Sequence, residues 1–270
     1  TIFSGLIFTL APMISIFIAS FRIRTSIGNG QFTERYSFDA WVAAWQGDLS
    51  YVSASEALSN SLIYAVVTLL VSLPLGWILS STIHSLEKSN RMKLAKFVDV
   101  LSMLPLAISA VMVGLGILLG ILRYNSSLFS FFLIPVLPHI MLTTPFVVRI
   151  MTPAMRAIDP VFEQQAKLLN LSPLQCWWHG RLSFLRGPAI VAASLTLAFS
   201  LGEFGASWIL VRTGSWDTLS ILVDQLMSRP KFDPMVQPVA MATASMLMIL
   251  TFILFVIAER FRPKGDGGGI

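Results

Sequence analysis

Long apolar runs separated by short polar segments dominate the chain and predict transmembrane helices. Each run is about 20 residues or longer, enough to cross roughly 30 Å of hydrocarbon at about 1.5 Å per residue. Strands of a membrane barrel need only about ten residues of alternating polarity, so a barrel is excluded. The pattern predicts an all-α membrane protein with six spans, at residues 1–20, 60–83, 97–122, 129–151, 187–211 and 236–258.

The composition agrees with a membrane protein and excludes most soluble classes. Of the 270 residues, 55% are hydrophobic and only 12% are charged, about half the charged share of a typical soluble domain. The sequence has no G-x-x-x-x-G-K phosphate loop, no G-x-S-x-G elbow and no H-E-x-x-H pair, so it predicts no catalytic residue. A single cysteine and three histidines far apart in sequence predict no metal site.

Lysine and arginine are distributed unequally between the two sets of loops. One set, with the adjoining span edges, carries twelve basic and six acidic side chains, whereas the other side carries seven of each. The positive-inside rule places the first set, residues 84–96, 152–186 and the tail from 259, in the cytoplasm together with both termini. The formal net charge of +5 therefore indicates topology and not a nucleic-acid partner.

The two ends of the sequence look like cut points. Thr1 opens directly into an apolar run, with no charged lead-in and no small-residue cleavage site of a signal peptide. We interpret the chain as an excerpt or half of a longer polypeptide, and two interpretations of the missing part are open, a short tail or an entire preceding domain. Residues 265–269 are glycine-rich, as in a flexible tail or a linker.

Two segments on the outer side contain recognisable patterns. Residues 37–45 predict a short amphipathic helix with Ser37 as its N-cap. Trp41 and Trp45 share one face of it, which favours a helix at the membrane interface over a ligand site. For the charged segment 212–235 two interpretations are open, ion-pair docking of a partner protein or a solvated loop, and we favour the loop.

The cytoplasmic segment 152–186 is long for a connection between spans and is patterned like a helix–turn–helix. Asp159-Pro160 is typical of a helix start, and Asn170 can take a left-handed conformation that ends the first helix. Ser172-Pro173 then starts a second helix. Phe162, Ala166, Leu168 and Leu169 form an exposed apolar edge, which implies a docking partner.

Three segments carry a resemblance to a known family. Residues 159–175 (DPVFEQQAKLLNLSPLQ) resemble the EAA loop of ABC importer permeases, which lies between the fourth and fifth of six spans. Residues 201–206 (LGEFGA) are similar to a segment of iron(III), thiamine, sulfate and molybdate permeases. Residues 57–62 (ALSNSL) are similar to the entry into the second span. The resemblance covers nearly the whole chain from about residue 55 and is nearest to the iron(III)/thiamine branch.

The resemblance implies a type I importer permease of the bacterial inner membrane. It implies ABC ATPase subunits, a second permease domain and a solute-binding protein as partners, in a lipid bilayer and without nucleic acid. ATP and Mg would be bound by the partner ATPase, so no cofactor is expected in this chain. The ATPase contact falls on Glu163, Gln164, Ala166, Asn170 and Ser172. Two departures stand out, since Gln164-Gln165-Ala166 replaces Glu-Ala-Ala and Asn170 replaces glycine.

Glu203 is the only acidic residue well inside a predicted span. A carboxylate at membrane depth costs about 2.5–3.5 kcal/mol, so it should face protein or water. Two interpretations of Glu203 with Gly202 and Gly205 are open. One is a site on the translocation path or at the interface with the second permease half. The other is a packing anchor where small residues let backbones approach. We interpret His139 as a hydrogen-bonded packing residue.

The expected function is an importer permease for a small solute, of the iron(III) or thiamine type first. The alternative within the class is sulfate, molybdate or another small solute. A secondary transporter would need ion-coupling residues in its spans and often an internal repeat, and the sequence shows only Glu203 and no evident repeat. A structural membrane subunit would not need a docking loop.

Overall fold

The computed structural model describes residues 2–28, 31–158, 168–172, 175–211, 216–230 and 232–261, and this part of the chain is mostly helical, as predicted. Two short 3₁₀ segments and a π-helical turn at Cys176–Arg181 connect longer elements. The elements run in the order α1 (Ile2–Ala19), β1 (Arg22–Gly28), β2 (Gln31–Tyr36), α2 (Asp39–Gln46), α3 (Ala54–Lys88), α4 (Met92–Met103), α5 (Ala110–Tyr124), α6 (Val136–Arg156), α7 (Leu182–Gly202), α8 (Gly205–Leu210), α9 (Leu219–Met227) and α10 (Val236–Phe261).

Helix α3 is the central element and extends beyond the predicted span 60–83 at both ends. It begins where the Ser53 hydroxyl accepts a hydrogen bond from the Glu56 amide at 3.2 Å, which satisfies an otherwise free donor of the first turn. Its buried face consists mainly of small residues at spacings of three and four: Ala57, Ser61, Ala65, Thr68, Ser72, Gly76 and Ser80. Small side chains allow neighbouring helices to approach closely.

Helices α6 and α7 pack on this small-residue face of α3. A Cβ atom at Gly76 would lie 2.5 Å from Cβ of Val147 on α6, so the two helices touch at this point. Further along, the Ser72 and Thr143 hydroxyls lie 2.8 Å apart and form a hydrogen bond between the helices. One part of the core therefore lies where α3, α6 and α7 meet, and another lies where α2, α3, α9 and α10 pack together.

Three helices of the described chain are long and apolar enough to cross a membrane: α3, α7 and residues 236–257 of α10. The span predicted at 97–122 is not a single straight helix in the structure. The helical pair 92–107 and 110–124 is bent by 97°, and the bend follows a 3₁₀ turn containing Pro105 and extended backbone at Ser109. Proline removes a helical hydrogen bond, whereas an unbroken apolar run gives no sign of where the axis turns.

Two other predicted spans have different limits in the structure. The span predicted at 187–211 ends at Gly202, and the separate helix α8 follows a break at Glu203-Phe204. The span predicted at 129–151 begins as a regular helix only at Val136, after a 3₁₀ segment at Ser126–Ser130. The six-span count is thus not established by the structure.

The expectation of a purely helical chain is wrong at residues 22–28 and 31–36, which form two paired antiparallel strands. Apolar residues recur four positions apart in each strand, at 23 and 27 and at 32 and 36, an even spacing that suits one face of a strand. Arg22 and Glu34 form an ion pair across the hairpin, and this hydrogen bond lowers the pKa of the Glu34 carboxyl. Because the hairpin is exposed, we interpret the pair as a register contact and not as a source of stability.

The segments that the sequence predicts to lie outside pack more closely than their sequences suggest. Helix α2 begins at Asp39 with Phe38, not Ser37, at the N-cap position, although the Ser37 hydroxyl accepts from the Asp39 amide at 3.0 Å. The indole of Trp41 donates to the Ser20 hydroxyl at 3.0 Å. The interpretation of 212–235 as a solvated loop is wrong for residues 217–227, where Asp217 is fully buried and α9 joins the core, whereas residues 232–234 are exposed.

Candidate functional site

The first candidate site is the segment 152–186, of which the structure describes only a part. Glu163, Gln164 and Ala166 lie outside the described residues, whereas Asn170 and Ser172 lie within them. Asn170 has φ of +49°, the left-handed conformation that the sequence predicts for it. Asparagine tolerates this backbone better than other side chains do, so it can replace the glycine found at this turn in related loops.

A reciprocal pair of hydrogen bonds marks the start of the helix that follows. The Ser172 hydroxyl accepts from the Gln175 amide at 3.3 Å, and the Gln175 side-chain oxygen accepts from the Ser172 amide at 3.0 Å. This is a capping box, with serine at the N-cap and glutamine three residues later. The helix start predicted at Ser172 is thus accompanied by a second capping residue, Gln175, which the S-x-x-Q spacing of the sequence signals.

The described part of this segment exposes large apolar side chains. Leu168 is 86% exposed, Leu169 is 71% exposed, and Trp178 is 55% exposed. The predicted apolar edge is therefore present at Leu168 and Leu169, while Phe162 lies outside the described residues. Apolar surface held by a capped, turned backbone suits a docking contact.

Replacing Asn170 by valine is expected to loosen this turn, whereas glycine should preserve it. A β-branched residue in the left-handed region costs about 1–2 kcal/mol, which glycine does not incur. The measurement is hydrogen exchange of the amides in residues 168–176, which should be about tenfold faster in the valine variant. Leu169→Val, at an exposed neighbour without positive φ, is the control. Equal exchange in Asn170→Val and Leu169→Val would contradict the assigned role of the turn.

The second candidate site surrounds Glu203, at the break between α7 and α8. Its side chain is 2% exposed. One carboxylate oxygen accepts from the Ala206 amide at 2.7 Å, and the other accepts from the Ser207 amide at 3.0 Å and the Ser207 hydroxyl at 2.7 Å. The carboxylate thereby satisfies amides in the first turn of α8, which would otherwise face the core without acceptors.

His139 links this carboxylate to three other helices. Its Nε2 lies 3.3 Å from the Glu203 carboxylate and 2.7 Å from the Ser207 hydroxyl, and its Nδ1 lies 2.7 Å from the Ser200 hydroxyl. Since Ser207 donates to Glu203, its oxygen is left to accept from Nε2 of the imidazole. Ser200 in turn lies 3.5 Å from Thr68 on α3. His139 is a buried, hydrogen-bonded residue, as the sequence analysis inferred.

The two glycines beside Glu203 have different surroundings. Gly202 is exposed, and a Cβ there would meet nothing within 4 Å. A Cβ at Gly205 would lie 3.2 Å from a methyl group of Val111 on α5, so α5 and α8 pack closely. Gly114 on α5 is tighter still, with a Cβ at 2.8 Å from the Ala206 carbonyl oxygen. The sequence analysis did not identify Gly114, because nothing in its spacing relates it to Glu203.

These contacts bring Glu203, His139, Ser207 and Ser200 into one buried polar cluster, which we call the Glu203 cluster. It fixes the direction of α8 relative to α7 and α6. Among the residues that the structure describes, no three His, Cys, Asp or Glu side chains lie together as a metal site requires. What this arrangement provides chemically is a rigid hydrogen-bonded joint inside an apolar bundle.

Comparison with known proteins identifies several similar sequences, although no family model matches the chain. The chain is 27% identical over 211 residues to the thiamine transport system permease protein ThiP of Haemophilus influenzae, covering 78% of this chain and 38% of ThiP. It is 28% identical over 176 residues to the putative 2-aminoethylphosphonate permease protein PhnV of Salmonella paratyphi A, covering 64% of this chain and 63% of PhnV. It is 28% identical over 226 residues to the sulfate permease protein CysW of a Synechocystis species, covering 79% and 77%.

Solved structures share the fold. A chain of the bacterial alginate ABC transporter, solved with an alginate pentasaccharide-bound periplasmic protein, matches with a TM-score of 0.71 and 20% identity, covering 100% of this chain and 93% of that chain. The alignments span about two fifths of ThiP and under two thirds of PhnV. The resemblance to ABC importer permeases, with the thiamine branch among the relatives, is confirmed.

Proposed function

We propose that this chain, a homologue of ABC-transporter permeases, forms a transmembrane permease domain of an ATP-driven importer for a small solute. The observation that carries the proposal is the similarity to three kinds of importer permease over most of the chain. The capped turn at Asn170 and Ser172 supports it, because the resemblance to the EAA loop implies a turn between two helices at this place. The ATPase activity would belong to a partner subunit.

In the proposed complex the chain pairs with a second permease domain in the inner membrane, above two ATPase subunits. The basic loops and both ends of the chain would face the cytoplasm. Closure of the ATPases would push on the segment around Glu163, Gln164 and Ala166, and on the capped turn behind it. That turn leads through the π-helical turn into α7, whose far end is held by the Glu203 cluster. Movement of the docking segment would thereby be transmitted to α7, which would move as one rigid helix.

The solute is proposed only as a class, with thiamine as the first candidate. The names of the relatives give thiamine, 2-aminoethylphosphonate and sulfate as their solutes, and none of these three is an iron permease. The iron(III) preference of the sequence analysis thus gains no support from them. Glu203 does not favour a cationic solute, because its carboxylate is already engaged by three donors within the chain.

The first experiment is a tagged purification in mild detergent, with the co-purifying proteins identified by mass spectrometry. Recovery of an ABC ATPase together with a second permease domain supports the proposal. A co-purified solute-binding protein can then be stripped to identify its ligand. Recovery of the chain alone from intact membranes, or with an unrelated enzyme, contradicts the proposal.

Replacing Ala166 by tryptophan is expected to abolish at least nine tenths of the solute-stimulated ATP hydrolysis of the complex. A bulky indole on the docking segment would keep it from seating in the ATPase, while the spans remain folded. Ala157→Trp is a matched control, because Ala157 is an exposed alanine at the end of α6. The measurement is ATPase activity of the purified complex in vesicles with and without solute. Normal stimulation in Ala166→Trp would exclude this segment as the coupling contact.

A secondary transporter remains the rival class. Its solute flux would follow an ion gradient and would continue without ATP. Solute uptake into vesicles lacking ATP, driven by a proton or sodium gradient, would favour the rival over the importer.

A further inference from the structure

An exposed arginine lies deeper in the helix bundle than the sequence predicts. Arg149 is close to the end of the predicted span 129–151, yet helix α6 continues to Arg156. The seven positions from Arg149 to Arg156 correspond to roughly 10 Å of helix. A charged side chain within a membrane span is costly where it faces lipid, so it marks a functional site by default.

Two contacts with α3 fix the level at which Arg149 lies. The hydroxyls of Ser72 and Thr143 form a hydrogen bond, and one turn further along both helices Gly76 touches Val147. Helices α3 and α6 therefore run in the same direction with a constant offset in numbering. Arg149 follows Val147 by two positions, so it still lies beside the apolar run of α3, a helix long and apolar enough to cross a membrane.

Arg149 lies on a strip of α6 that the neighbouring helices leave open. Helix α6 contacts α3, α4, α5, α7 and α8, and its Val147 and Met151 are buried among side chains of α3 and α7. Arg149 is exposed, as are Pro153 and Ala157, four and eight positions further along the helix. Because α6 has helices on several sides, this strip is a gap in its packing and not the outer face of a peripheral helix.

Two groups on this side of α6 have donors without an acceptor. Among the residues that the structure describes, the guanidinium of Arg149 makes no hydrogen bond or ion pair, whereas Arg156 donates to both carboxylate oxygens of Glu87. Thr152 follows Arg149 by three positions and is therefore its neighbour on the helix surface. Thr152 is 4% exposed, and its hydroxyl has no hydrogen-bond partner within the described part of the chain. A guanidinium beside a hydroxyl is a set of donors that suits an oxyanion.

We propose that Arg149 binds the anionic group of the solute in the translocation path, with the Thr152 hydroxyl as a second donor. The inference rests on the proposed function and narrows its solute class to molecules that carry a phosphate, phosphonate, sulfate or carboxylate group. A guanidinium offers two parallel N–H donors to such a group. The strip would face water between the two permease domains, as charged groups within spans require. A free thiamine cation would gain nothing from this contact.

The first experiment measures whether water reaches position 149. Arg149→Cys is made together with Cys176→Ser, which removes the single native cysteine of the chain. The complex with its partners is reconstituted in phosphatidylcholine vesicles, with a hydrophilic methanethiosulfonate reagent on both sides of the membrane. Labelling of this chain, followed by mass spectrometry, should be about tenfold faster than for Ile78→Cys in the same background. Ile78 is the matched control, because it is an exposed apolar residue at the corresponding level of α3.

Equal labelling of Arg149→Cys and Ile78→Cys would assign Arg149 to the lipid surface and overturn the proposal. Labelling that is fast in the separated chain but absent in the complex would show that a partner protein covers Arg149, which also overturns it.

The second experiment tests anion binding by the native arginine. Phenylglyoxal modification of Arg149 in the complex, measured by mass spectrometry of its peptides, should be about fivefold slower in excess inorganic phosphate or sulfate than in chloride. Arg91, an exposed arginine at the start of α4, is the control and should change less than about twofold. Thr152→Val should weaken the protection by about twofold, whereas Thr152→Ser should preserve it.

Absence of protection at Arg149 would overturn the anion site, and equal protection of Arg91 would show general attraction and overturn it as well. Protection by phosphatidylglycerol in the vesicles, but not by phosphate or sulfate, would assign the contact to a lipid headgroup instead. The two proposals can fail separately. Recovery of an ABC ATPase without protection at Arg149 would refute this inference alone, whereas protection without a co-purifying ATPase would contradict the importer and keep the anion site.

Discussion

Glu203→Ala is expected to lower the stability of the folded protein more than any other single substitution in its transmembrane part. Removing the carboxylate leaves the Ala206 amide, the Ser207 amide and the Ser207 hydroxyl without their acceptor in a buried site. Each unsatisfied buried donor costs about 1–3 kcal/mol, so the expected loss is about 3 kcal/mol or more. The apparent melting temperature in detergent, followed by tryptophan fluorescence, should fall by about 5–10 °C.

Two companion variants separate the reasons for this loss. Glu203→Gln keeps one acceptor oxygen, so it should be less destabilised than Glu203→Ala. It should still be less stable than the unmodified protein, because the glutamine NH₂ group would face groups that are themselves donors. Glu56→Ala removes an exposed carboxylate from the first turn of α3 and should cost less than about 1 kcal/mol. Melting of Glu203→Ala within a degree of the unmodified protein would show that the Glu203 cluster does not hold the helix break.

The second large effect is expected at Gly114, where α5 touches the backbone of α8. A methyl group there would lie 2.8 Å from the carbonyl oxygen and 2.9 Å from Cα of Ala206. Backbone atoms cannot move aside as a flexible side chain can, so Gly114→Ala should cost about 1–3 kcal/mol and Gly114→Val more. The same melting measurement applies, and the amide of Ala206 should show faster hydrogen exchange.

Gly116→Ala is the matched control for this prediction. Gly116 lies on the same helix, and a methyl group there would meet nothing within 4 Å. Alanine is the better helix former by about 1 kcal/mol, so this variant should be neutral or slightly more stable. A comparable loss at both glycines would mean that helix α5 is sensitive to any substitution, and the close approach to Ala206 would no longer explain it.

Glu203 accepts a hydrogen bond from the Ala206 amide, and Gly114 packs against the backbone of the same residue. The two substitutions therefore disturb the same residue. Their effects should therefore be non-additive, with the double variant Glu203→Ala/Gly114→Ala less destabilised than the sum of the single variants. Additive losses would place Gly114 outside the joint that the Glu203 cluster forms.

The helices of this chain were predictable from sequence where a long apolar run coincides with one straight helix. Helices α3 and α10 are of this kind. The turn at Asn170 and Ser172 was also predictable, because both residue types favour it. The breaks were not predictable, because the apolar runs at 97–122 and 187–211 continue across them. Apolar content predicts which residues contact lipid. The direction of a helix axis depends on hydrogen bonds, which a hydropathy pattern does not reveal.

The Glu203 cluster shows the same limit. The sequence identified Glu203 as an unusual acid that must be satisfied, and His139 as a hydrogen-bonded residue. It did not relate the two, since they are 64 positions apart and become neighbours only when α6 packs against α7. The paired strands at 22–28 and 31–36 were missed for a different reason: apolar residues recur only at every fourth position in them, so their polar composition made the segment look like an exposed loop.

The order of these residues along the chain matters while the protein is being made. Helix α6 leaves the ribosome before α7, so the imidazole of His139 is already in the membrane when Glu203 arrives. A carboxylate entering hydrocarbon alone is opposed by about 2.5–3.5 kcal/mol. In this chain the Glu203 carboxylate can contact the imidazole of His139, and the amides of α8 that bind it follow within a few residues. In a circular permutant in which α7 and α8 enter the membrane before α6, the Glu203 carboxylate would have to enter before the imidazole of His139 is present.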